Sequence, residues 1–76
     1  MKAFQTHIFI HVDESLETGL FATLRSALGK IEGVSDVQPS RRRHLLRVDY
    51  DPLATRTQAI VGQARKQGLH AQAVGL

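Results

Sequence analysis

Along residues 6–20, THIFIHVDESLETGL, one hydrophobic period gives way to another, and no other feature constrains the fold so tightly. From Thr6 to Val12 the chain alternates. Ile8, Ile10 and Val12 point one way and His7, Phe9 and His11 the other, the pattern of a half-buried strand. From Leu16 the apolar residues Leu16, Leu20, Leu24, Leu28 and Ile31 recur at helical spacing and form one stripe. Between them lies Asp13-Glu14-Ser15, a polar corner without glycine. A strand entering a helix in this way turns the helix's first amides outward, where small domains often place their chemistry. Here the corner carries carboxylates and hydroxyls, with no thiol and no nucleophile–base pair.

The rest of the chain repeats the change of period. The first strand is expected over residues 3–12, with Asp13 or Ser15 as the N-cap of the helix that follows. Glu14 and Glu17 would then favour its first turn through the helix dipole. Gly29 weakens this helix by up to ~1 kcal/mol, and Gly33 is placed to end it in the left-handed conformation. Residues 34–39 form a short second strand, and Pro39, lacking an amide donor, puts it on an edge. After the loop Ser40-Arg41-Arg42-Arg43-His44, residues 45–50 alternate again, Leu46, Val48 and Tyr50 opposite Leu45, Arg47 and Asp49. Asp51-Pro52 stops that strand. Thr55 and Gln58 frame a capping box for a second helix carrying Ala59, Ile60 and Ala64, with Gly68 as its stop and residues 69–74 as the last strand.

Strand–helix–strand, taken twice with right-handed crossovers, predicts an α+β, ferredoxin-like βαββαβ sandwich: a four-stranded antiparallel sheet with both helices on one face. The first and third strands are central and the fourth lies beside the first. The helix-facing side should hold Ile8, Ile10, Val12, Val34, Val37, Leu46, Val48, Tyr50, Leu69 and Ala71. A chain of 76 residues makes one such domain, and at this size folding buries only ~60% of the unfolded surface. There is no cysteine, so neither a disulfide nor a thiolate metal site is available. No apolar run reaches membrane-spanning length. The start, MKAFQTHIF, lacks an apolar signal core, and a cytoplasmic, untargeted chain is expected.

Several segments together resemble the heavy-metal-associated domains found in small copper chaperones and in metal-pumping P-type ATPases. ALGKIEGVSDV (residues 27–37) is similar to their helix end and second strand, and VDYDP (residues 48–52) to their third-strand ending. Ile60 through Lys66-Gln-Gly-Leu69 resembles their second helix and the Gly-aromatic step after it, with Leu69 in place of the aromatic. The likeness runs ungapped over nearly the whole chain and implies the same fold. It departs at the site: the family's Gly-Met-x-Cys-x-x-Cys loop falls on residues 14–20, so Glu17 and Leu20 stand where the resemblance would place the ligand cysteines, and Ser15 where it would place the methionine. Cuprous ion needs polarisable thiolates, which a carboxylate and an isobutyl group do not replace.

Three surfaces remain as candidates. Four histidines are many for this length. His7 and His11 share the helix-free side of the first strand but lie ~13 Å apart at strand rise. His70, beginning an antiparallel fourth strand, is expected near His11, within the ~5 Å of cross-strand neighbours. That pair, with Glu14 or Asp13, could hold a divalent metal ion such as nickel, zinc or cupric ion; otherwise these are polar strand residues facing water. The basic loop Arg41, Arg42, Arg43 and His44 suits an acidic protein surface or phosphate, or is simply a solvated turn. Nucleic acid is disfavoured because Phe9 is the one aromatic expected on the open face. That face, with His7, Phe9, Leu45 and Arg47, is a candidate contact for a protein partner or a second copy. His7 and Asp49 are a plausible cross-strand pair without a nucleophile beside them, so no enzyme is expected. The sequence thus points to a non-catalytic module acting by protein contacts, with metal carriage and phosphate binding as alternatives.

Overall fold

Each expected element forms in the computed structural model, which describes residues 5–14, 18–42 and 44–74, Thr18 by its backbone alone. In chain order these are β1 (Thr6–Val12), α1 (Thr18–Gly29), β2 (Val34–Pro39), β3 (Leu45–Tyr50), α2 (Thr57–Arg65) and β4 (Ala71–Val74). The sheet is antiparallel in the order β2-β3-β1-β4, so β1 and β3 are central and Pro39 lies on an edge strand. This is the ferredoxin-like sandwich.

The alternation of β1 becomes a division between two faces. Ile10, Val12, Val37, Leu46, Val48, Tyr50 and Ala71 are buried against Leu24 and Leu28 of α1 and Ile60, Val61 and Ala64 of α2, with Ile8, Val34 and Leu69 packed at the margin. All ten residues expected on the helix side therefore lie there. Phe21 joins the core from α1 as well, at the spacing of Leu24, Leu28 and Ile31. On α2 the buried residues are Ile60, Val61 and Ala64, and Ala59 is exposed. α2 starts one residue later than the capping-box pattern predicts. Its N-cap is Arg56, which makes no side-chain cap bond, and Thr55 is buried with its amide on the Asp51 carbonyl at 3.1 Å.

The ends of the elements correct other expectations. Gly29 is the last residue of α1, where its helical cost is small, and Gly33 comes after the helix, in the turn entering β2. Its φ is +101°, and a Cβ there would stand 2.8 Å from that of Ala54, so this turn admits only glycine. Gly68 closes α2 at φ +85°, its amide on the Arg65 carbonyl at 2.9 Å. Asp13 and Glu14 form a bend after β1, upstream of α1, so Asp13 is not a helix cap; Ser15, Leu16 and Glu17 lie outside the described residues. Leu69 and His70 precede β4 rather than belonging to it.

Candidate functional site at the β1–α1 corner

The register of β1 decides which histidines meet. His11 is opposite Leu45 on one side and Gln72 on the other, while Val12 pairs with Ala71. Continuing that ladder, the Asp13 amide donates to the His70 carbonyl at 3.0 Å, which puts His70 opposite Asp13 and not His11. The expected His11–His70 pair is therefore not formed. His70 is instead held by Glu14: its amide donates to Oε1 at 3.0 Å and its ring Nδ1 to Oε2 at 2.8 Å. These hydrogen bonds, the side-chain one first, hold the Glu14 carboxyl below its ordinary value, and the same side-chain bond raises His70. Glu14 and His70 were expected at one site as metal ligands; the structure brings them together through hydrogen bonds to each other.

His11 has different neighbours. Its ring lies 5.9 Å, centre to centre, from that of His44. Its Nδ1 is 3.5 Å from Asp13 Oδ1, within ion-pair range, yet forms no hydrogen bond and is shut off from solvent. His44, read from sequence as part of a basic loop, is tied into the corner. Its carbonyl accepts from the Val12 amide at 2.7 Å and its Nδ1 lies 3.0 Å from the Glu14 carbonyl. Strict alternation from Leu45 would turn His44 toward the helices. A backbone φ of +64° redirects it, and its ring comes to His11. Sequence reasoning missed this role. The available signal was a turn without glycine, in which histidine is among the residues that enter the left-handed region more readily.

The remaining candidates are dispersed. Arg41 and Arg42 are exposed, without ion pairs among the described residues, and Arg43 lies outside those residues. On the open face His7 packs edge-on against Phe9 at 5.6 Å, and Phe9 faces Arg47 across the ladder. Leu45, expected as an exposed contact residue, is only 6% exposed. It sits opposite His11, with the turn bonded to its backbone on both sides through Arg42 and Ser40. His7 and Asp49 are register partners, but the Asp49 carboxylate takes the Arg47 Nε at 2.9 Å. Among the described residues no group of three or more potential ligands surrounds one point, and no helix is long and apolar enough to cross a membrane.

The sheet order β2-β3-β1-β4 with two helices is a fold this chain shares with solved metal-binding domains, and this chain has no cysteine. The chain is similar to oxidized MerP from Ralstonia metallidurans CH34, with a TM-score of 0.84 and 19% identity over 95% of this chain and 100% of that one. It is also similar to a putative copper-ion-binding protein from Bacillus anthracis str. Ames, with a TM-score of 0.82 and 17% identity over 93% and 100% of the two chains. Against the N-terminal soluble domains of Bacillus subtilis CopA the TM-score is 0.81 and the identity 28%, over 92% of this chain and 48% of that one. The chain thus spans about half of that CopA fragment. No family model and no curated protein sequence matches it.

Proposed function

We propose that this chain is a non-catalytic binding module of the heavy-metal-associated fold that has given up thiolate chemistry and acts through protein contacts. The observation that carries this reading is the state of the corner. Glu14, at the start of the segment aligned with the family's metal loop, has both carboxylate oxygens committed to His70 and its carbonyl to His44. A Glu14 engaged in this way, in a chain with no cysteine and one methionine, does not suit the capture and transfer of cuprous ion. The contact surface is the open face around His7, Phe9 and Arg47 together with Arg41 and Arg42. Arg41 and Arg42, exposed and without ion pairs among the described residues, steer and orient an acidic surface.

The chemical half of the proposal is tested by competition for cuprous ion against a chromogenic chelator under reductant. The chelator should keep the copper, and transfer to the protein sinks the reading. The contact half is tested with a photo-crosslinking residue placed at Arg42, Arg47 or Gln58. Crosslinks to one acidic protein should form from the first two positions and disappear in an Arg41→Glu/Arg42→Glu chain. Equal capture from Gln58, exposed on α2, counts against it.

A further inference from the structure

The protein-contact reading leaves His11, Asp13 and the His44 ring without a task. A backbone carbonyl only accepts, so the 3.0 Å contact between His44 Nδ1 and the Glu14 carbonyl places the proton on Nδ1. In the neutral ring Nε2 then carries the free lone pair. His11 differs: its Nδ1, closed to solvent and without a hydrogen bond, lies 3.5 Å from the Asp13 carboxylate, and its side chain remains 37% exposed. Metal-binding histidines characteristically direct one ring nitrogen to a carboxylate or backbone carbonyl and offer the other to the ion. Here the His44 ring has the carbonyl bond, and the Asp13 carboxylate stands within ion-pair range of His11 Nδ1 without bonding it.

The spacing agrees. Two imidazoles on a single ion, with metal–nitrogen bonds of about 2.0–2.1 Å, have ring centres roughly 5–6 Å apart. His11 and His44 are separated by 5.9 Å, with their planes inclined at 38°. The left-handed backbone of His44, a conformation that persists only when the surroundings enforce it, is what brings the second ring to the first.

We propose that His11 and His44 form a two-imidazole site for a borderline divalent cation, nickel, zinc or cupric ion, with Asp13 and the Glu14 carbonyl as outer-shell supports. Imidazole nitrogen suits these ions, whereas cuprous ion favours thiolate. Water fills the remaining positions, since the described residues supply no larger cluster. The site shares Glu14 with the His70 pair, using its carbonyl and not its carboxylate, and lies apart from the exposed Arg41 and Arg42, so the crosslinking outcome and the metal titration can fail independently.

The test is titration of the full chain with each metal chloride while the histidine ring signals are followed by NMR. For cupric and nickel ions the readout is paramagnetic broadening. His11 and His44 should respond together in one saturable step at one ion per chain, with His7 unmoved. His11→Gln and His44→Asn, the latter chosen because asparagine tolerates a left-handed backbone, should each weaken binding by about tenfold or more, and Asp13→Asn by about tenfold. His70→Gln should stay within about twofold of the parent. Amide spectra confirm that each variant is folded, and titration of the unmodified chain needs no variant at all. If His11 responds without His44, if neither responds, or if binding survives both ring substitutions, the site does not exist.

Discussion

His44 occupies the left-handed region at φ +64° without being glycine. Such residues carry strain of order 1 kcal/mol or more, so other bonds must hold them there. The Val12 amide and the Glu14 carbonyl do so from two sides of the corner. His44→Ala keeps the strained backbone and loses the ring bond, and should cost about 1 kcal/mol in denaturant unfolding. His44→Gly loses the same bond but relieves the strain and should be closer to neutral, so the glycine variant should be the more stable of the pair. Glu14 and His70 give a pH signature. The Glu14 carboxyl is lowered from 4.5, so its contribution is present above that value and disappears as pH falls through the lowered one. His70 is raised from 6.5, so its contribution is complete below 6.5 and disappears as pH rises through the raised value. The difference in Tm between the parent and Glu14→Gln should therefore be greatest between pH 4.5 and 6.5 and shrink on both sides.

Among the elements, α2 has the clearest uncorrected weakness. Its N-cap position has the extended backbone a cap requires, φ −128° and ψ 158°, but is filled by Arg56, which makes no side-chain cap bond. Arginine also puts a cation at the positive end of the helix dipole. Arg56→Asp supplies an acceptor and reverses the charge, and should raise stability by about 1 kcal/mol, read as a higher Tm. The position was misjudged from sequence because Thr55-x-x-Gln58 fits the capping pattern one residue early. What displaced it is tertiary. Thr55 is drawn inward beside Gly33, and its amide is used by Asp51, so the helix begins after it. The first strand and helix were easier to read because periodicity reports burial directly, and Ile10, Val12, Leu24 and Leu28 are all fully buried.

For the whole molecule, one core joins the sheet to both helices, so a cavity in it is felt everywhere. Leu28→Ala removes a side chain with no solvent exposure and should cost about 2–5 kcal/mol. Domains of this kind have about 5–15 kcal/mol in all, so urea unfolding of this variant should begin at markedly lower concentration, in a single transition. The open face is different. Its residues are held by the ladder and not by a second layer, and there single substitutions such as Arg47→Ala should leave stability nearly unchanged.

The amino-acid order by itself determined the succession of strands and helices, the residues of the core, the edge position of β2 and the absence of thiolate ligands, because period, glycine and proline act locally. Only the tertiary structure decided which imidazoles meet. Sequence parity placed His11 and His70 on one face, but the ladder set His11 opposite Gln72, gave His70 to Glu14, and turned His44 out of its strand alternation toward His11. The physical reason is that a side chain's face follows from counting along one strand, whereas its neighbour depends on register and on a backbone angle that distant bonds impose.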